Sequence, residues 1–369
     1  MNRRDFLLTL PALSACRGKP GEGYHGSAWI ASEVEPVLAV VDLLAFAVRR
    51  RVELKGRPKR LVRRGAEDAR FLYACDFLAG LIEEVDGAAA RRSRFMQISG
   101  PITGVRPDPR SHRLWVAACS PPRIAPIDLE TLRQGRAVLL PSDPVSLDVS
   151  PAAPLAAATL RSGEAVFVDL EAGGLLSRIE LGPDLGQLRF RSDGRAAIAA
   201  NKGRIAVSIL EPRNGRVVVE LPLPLRPDRM WMKRDGGQIF ITGEGRDAIT
   251  IVYPYRTEVA QTFLSGRKPG EMADSVAPAY LFVSNPEANS LTVFDLETQK
   301  VVAVTQVGMG PGPIAVTPDQ SYALVLNRLS GDVAVIRAAA ITPGREKRAP
   351  LFTMIPVCAQ PSHLLVSSA

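Results

Sequence analysis

Histidine and cysteine are scarce, three and four among 369 residues. No C-x-x-C or H-x-x-x-H spacing occurs, so zinc-type and c-type haem ligation have no motif to rest on, and neither a metal nor a cofactor is expected. G-x-S-x-G is also missing, and three His leave few bases to activate a serine, so no catalytic residue is assigned. Aromatics are 6% of the chain and do not interleave with its basic residues, which argues against single-stranded nucleic acid, and no nucleic acid is expected as a partner. No apolar run reaches the ~18 residues that a spanning helix needs. Long helices have little room in general, because 30 Gly and 30 Pro break the chain about every six residues.

What is present is a large apolar fraction, 46%, cut into short runs. The clearest unit is Tyr280–Asn285, Ser290–Asp295, Val301–Val307 and Pro313–Asp319: four apolar or alternating segments, each closed by Asn, Asp, Gly or Pro. Runs of this length with such punctuation read as β-strands. The residue closing the second run recurs at Asp42, Asp86, Asp128, Asp169, Glu211, Tyr253, Asp295 and Arg337, at spacings of 41 to 44 residues. The short carboxylates suit a turn, where they can accept backbone N–H groups, so they read as turn caps rather than catalysts. The fourth run recurs as often, from Pro58–Val62 to Pro361–Val366. A period in the low forties with four strands per unit predicts an all-β fold, a β-propeller of four-stranded antiparallel blades. Eight repeats are counted. The domain is expected over 28–369, with its first strand at Ala28–Ser32 and its last at Pro361–Ser367, so that the two termini close one blade.

At these residues the chain resembles the YVTN-type β-propeller repeat family, most closely over 280–337, FVSNPEANSLTVFDLETQKVVAV followed by GMGPGPIAVTPDQSYALVLN. Asn201, Asn285 and Asn327 stand where that family ends a strand with Asn. The resemblance implies the propeller, with seven blades as the alternative count. It also implies a lactonase-like hydrolase as one possible activity.

The first residues, Met1 to Cys16, run from a short basic start into ten apolar or small residues, the pattern of an export signal over 1–15. Leu13-Ser14-Ala15-Cys16 resembles a bacterial lipoprotein box, which implies lipidation of Cys16. Arg3-Arg4 with Phe6-Leu7 resembles a twin-arginine signal, with Leu13 and Ala15 serving the peptidase. Residues 16–27 then read as a Gly-rich tether. The expected location is the bacterial cell envelope or periplasm, with a lipid anchor as the membrane contact and a monomer as the state.

Net charge is +8. Its densest part is Arg49, Arg50, Arg51, Lys55, Arg57, Lys59, Arg60, Arg63 and Arg64, opposed only by Glu53, which reads either as solvated strand faces or as an anion-binding surface. His363 lies on the last strand, where it could face a central channel. Cys75 and Cys119 end corresponding strands of adjacent repeats and read as buried thiols or as a disulfide. The function expected from all this is a non-enzymatic binding or scaffold module with an unidentified protein or small-molecule ligand. The alternatives are the lactonase-like enzyme and a binder of anionic surfaces through residues 49–64.

Overall fold

The middle strands of each repeat are buried on both faces, as in Tyr280–Asn285 and Leu155–Leu160, where every residue is buried. The outermost strands have at most one buried residue, and Arg216–Pro222 has none. That gradient follows from radial sheets: the middle strands are sandwiched between neighbouring sheets and the outer ones form a wall. The computed structural model describes residues 23–63, 70–233, 235–341 and 350–368. Arg3, Arg4, Leu13, Ala15, Cys16 and Arg64 lie outside the described residues.

Eight sheets form eight blades, and each has its innermost strand first in the blade's chain order or, in blade 1, supplied by the C-terminus. From blade 1 to blade 8 these inner strands are Pro361–Ser368, Arg60–Arg63, Ile102–Pro107, Pro144–Val149, Leu185–Phe190, Arg226–Met232, Met272–Asp274 and Pro311–Val316. Consecutive inner strands pack against one another around the ring, except that no such packing joins Arg226–Met232 and Met272–Asp274 closely. One 3-10 turn, Ala338–Ala340, interrupts the β-structure of the described residues. The count is therefore eight blades, not seven.

One apolar cluster fills each seam. Trp29, Leu38 and Val52 of blade 1 meet Leu61, Leu72 and Val85 of blade 2. Ala28, Ile30 and Val41 of blade 1 meet Tyr322, Leu324 and Val335 of blade 8, which closes the circle. No blade could bury its faces alone. In seven blades the pairing of the third and outer strands slips by one residue at the same place, for example at Phe167/Val168 and Val293/Phe294. Bulges of this kind add twist, which helps flat sheets fan around an axis.

The termini meet in blade 1 as the repeat predicts. Pro361–Ser368 pairs antiparallel with Gly26–Ser32, with Ala28 opposite Val366 and Ile30 opposite Leu364. The first strand begins at Gly26 rather than Ala28, and Tyr24 is buried with its hydroxyl 3.0 Å from Ser368 Oγ. Ordered structure thus reaches back to residues expected in the tether. Trp29 Nε1 donates to Ser367 Oγ at 3.3 Å, fixing the same seam.

The repeated carboxylates are turn caps. Asp42 Oδ1 accepts from the N–H groups of Leu44 and Ala45, and Asp86, Asp128, Asp169 and Asp295 do the same two and three residues on. Glu211 instead binds the Asn214 and Arg216 side chains, and Arg337 stacks on the Phe352 ring 4.3 Å away. Cys75, Cys119 and Cys358 are free thiols, with Cys75 and Cys358 buried, so the disulfide alternative does not hold. Burial pushes both of those thiols up to about 12, which removes them as nucleophiles.

Candidate functional site in the central channel

An inner strand has a free edge on the propeller axis, so its polar side chains converge there from all sides. Arg60 comes from blade 2, Arg106 from blade 3, Asp148 from blade 4, Arg189 from blade 5 and His363 from blade 1. All five are half-buried.

Asp148 is the shared acceptor. Its Oδ1 receives Arg106 Nε at 3.0 Å and has Arg189 Nη1 at 4.0 Å, while Oδ2 receives the backbone N–H of Phe190 at 2.8 Å. Arg106 also donates to its neighbour's carbonyl, Val105 O, at 3.1 Å, and Arg189 to Leu188 O at 3.0 Å. Gln187 Oε1 accepts from Arg189 at 3.3 Å and from the Met230 N–H at 3.1 Å. Arg60 differs: its guanidinium makes no hydrogen bond or ion pair with any other described residue.

The electrostatics follow from this imbalance. Burial, and next the repulsion of Arg106, lower the Arg60 pKa to about 10. The same two causes lower Arg189 to about 9. His363 is pushed down to about 3 by burial, then by Arg60 and Arg106, so it is neutral at pH 7. Its Nδ1 accepts the Leu61 N–H at 3.4 Å. The ring proton therefore sits on Nε2, which is left as a donor. Groups on five different blades feel one another only because they meet near the axis.

The far side of the ring is balanced. Arg229 pairs with Glu271 at 2.8 Å, Lys202 with Asp228 at 2.6 Å, and Trp231 Nε1 donates to Asp274 at 3.1 Å. The side formed by blades 1 to 5 is not, because Asp148 is the carboxylate that contacts Arg106 and Arg189, while Glu271, already paired with Arg229, acts on Arg60 and Arg189 only through its field. Such a surplus of donors and positive charge in a partly desolvated place suits an oxyanion or carboxylate. Among the described residues no group of three or more His, Cys, Asp or Glu could hold a metal ion.

The structure divides the basic run 49–64 rather than gathering it. Arg49, Arg50 and Arg51 lie on the outer strand Ala47–Glu53 and are exposed. Lys55, Arg57 and Lys59 follow in the connection to blade 2, which is clamped by buried Glu83 on the Lys55 and Gly56 N–H groups and by Asp76 on that of Arg57. Lys55 and Lys59 lie over the rings of Phe95 and Phe77, at 3.5 and 5.9 Å. Arg60 and Arg63 are on the axis side, with Arg63 donating to Val366 O. Sequence reasoning reached Arg60 and His363 but missed Arg106, Asp148 and Arg189. The signal available was their place: each is charged and falls on a fourth-type strand, where its repeat counterparts are mostly apolar or small.

No family model matches the chain, and no curated protein matches it. Solved structures do match in fold. The chain is similar to the dihydro-heme d1 dehydrogenase NirN, solved in complex with DHE, at 15% identity, with a TM-score of 0.74 over 97% of this chain and 78% of that one. It is similar to Kuenenia stuttgartiensis hydrazine synthase at 18% identity, with a TM-score of 0.57 over 90% of this chain and all of that one.

Proposed function

We propose that this protein is an exported, envelope-tethered β-propeller that binds a small anion, an oxyanion or a carboxylate-bearing molecule, in its central channel and does not transform it. The observation that carries this reading is Arg60, a half-buried guanidinium without a partner among the described residues, set beside Arg106, Arg189 and a neutral His363 donor. Proteins rarely leave a cation this poorly compensated in a structural core, and the deficit is removed when an anion enters. The tether rests on the export and lipoprotein patterns of residues 1–16, and the YVTN-type resemblance of residues 280–337 agrees with a binding propeller. For the lactonase-like alternative, the Arg-rich half of the channel offers, among the described residues, Asp148, which already contacts Arg106, Arg189 and the Phe190 N–H.

Two experiments test the reading. Calorimetric titration with orthophosphate, a tricarboxylate and an acidic porphyrin separates ligand sizes, the porphyrin being included because the similar structure NirN is a dihydro-heme d1 dehydrogenase. Arg106→Gln is expected to weaken whichever probe binds by at least about tenfold, the loss of one charge-assisted contact. Heat from none of the three, or binding indifferent to that substitution, would remove the channel-site reading. Mass spectrometry of the membrane fraction should find an acylated Cys16 at the N-terminus; an intact leader with an unmodified thiol would remove the tether.

A further inference from the structure

We propose that the outer wall of blades 8, 1 and 2 docks flat on an anionic phospholipid surface. The wall consists of three outer strands in a row, Leu351–Pro356, Ala47–Glu53 and Arg91–Gln97. Their sequences, LFTMIP, AVRRRVE and RRSRFMQ, carry six Arg against one acidic residue, Glu53.

Density separates this wall from the rest of the rim. Elsewhere exposed arginines without a partner among the described residues, such as Arg133, Arg136, Arg213 and Arg267, stand apart from one another in sequence, while Arg178, Arg204 and Arg216 are matched to Glu164, Glu220 and Glu211. On the proposed wall Arg92 and Arg94 are held by Glu83 and Glu84, and Arg50 donates to Ala89 O. Arg49, Arg51 and Arg91 are exposed and have no carboxylate or hydrogen-bond partner for their side chains among the described residues. Beside them stand Phe352, Met354 and Phe95, 40%, 42% and 47% exposed. Unpaired guanidiniums beside half-exposed apolar side chains, with Arg337 over the Phe352 ring and Lys55 over that of Phe95, are what a headgroup layer above acyl chains can accept.

The route of the chain argues for a bilayer over another polyanion. The N-terminal segment enters the fold at Gly23, which is packed against Leu43 and Leu44 in the turn that leads into Ala47–Glu53. Cys16 is seven residues earlier in sequence, which allows at most ~25 Å of extended chain. This last point rests on lipidation of Cys16: an acylated Cys16 would hold blade 1, rather than the opposite side of the ring, against the membrane.

The test keeps docking apart from acylation by using the full chain with Cys16→Ser, which cannot be lipidated. It is sedimented with vesicles of phosphatidylcholine alone or mixed with phosphatidylglycerol. The chain should pellet with the anionic vesicles, and less as salt rises. Arg49→Glu/Arg51→Glu/Arg91→Glu should lower that partitioning at least tenfold. The charge-matched control Arg136→Glu/Arg213→Glu/Arg267→Glu, exposed positions on other blades, should leave it within about twofold. Equal loss from both triple variants, or equal pelleting with neutral vesicles, overturns the proposal. So does heparin binding that needs the three wall arginines while neither vesicle pellets the protein, since the partner would then be a different polyanion. Phe352→Ser/Met354→Ser should lower the salt-resistant part of the binding without changing charge, and no change there would exclude insertion.

Discussion

A guanidinium that faces two others and a neutral imidazole is held at an energetic disadvantage, and the residues around it reveal how the fold tolerates this. Asp148 compensates Arg106 and Arg189, so Asp148→Asn should destabilise the protein by about 2–3 kcal/mol, read as a lower urea midpoint at unchanged slope. His363 makes a second prediction. Its folded pKa of about 3 lies below the usual 6.5, so the unfolded chain takes up a proton that the folded one refuses. Its contribution is complete above pH 6.5 and is lost as pH falls toward 3, at up to about 1.4 kcal/mol per pH unit. In His363→Asn, whose Oδ1 can still accept the Leu61 N–H, stability between pH 6.5 and 4.5 should fall less steeply, by the equivalent of one proton; an unchanged slope in denaturation midpoints would show that the ring is not held neutral.

Within each blade, the structure is governed by turns and by the strand edge that reaches the axis. The capping Asp residues act locally, on N–H groups two and three positions on. Asp295→Ala should therefore cost about 1 kcal/mol in chemical denaturation. The Asp295 carboxyl is held below its usual pKa chiefly by the Thr298 N–H bond, so its stabilising effect is present above pH 3.8 and fades as pH falls through the lower folded value. This locality is why the caps were legible in the sequence: Asp42, Asp86, Asp128, Asp169 and Asp295 recur at a near-constant spacing because each serves its own turn. The strands, the blade count and the pairing of Gly26–Ser32 with Pro361–Ser368 were legible for the same reason, since a period in the low forties repeats in one dimension. The channel cluster was not. Arg60, Arg106, Asp148 and Arg189 are some forty residues apart in sequence and come together only after the ring closes. Arg60 was further obscured by its neighbours, because a chain running from an outer strand to the next inner one carries a continuous basic run to two different surfaces.

Closure makes the ring a single cooperative unit. The eight seams are equivalent in kind, and the seam between blades 8 and 1 depends on the strand Pro361–Ser368 that the C-terminus contributes. Ending the chain at Gln360 would remove the inner strand of blade 1 and expose the apolar faces of Ala28, Ile30 and Trp29. The truncated chain should lose its sharp thermal transition and bind a hydrophobic dye, whereas a single cooperative melt would show that blade 1 is dispensable. The ring also brings charges from separate blades into one small volume. The decisive measurement is the paired stability and anion affinity of Arg60→Gln. The variant should fold with equal or greater stability, within about 0.5 kcal/mol below wild type at worst, because no partner is broken and a buried charge is relieved. Its affinity for the best-bound anion should fall by at least about tenfold. A variant destabilised by more than about 2 kcal/mol that still binds the anion as tightly as wild type would contradict the proposed function, for Arg60 would then be a structural strut and the channel no binding site.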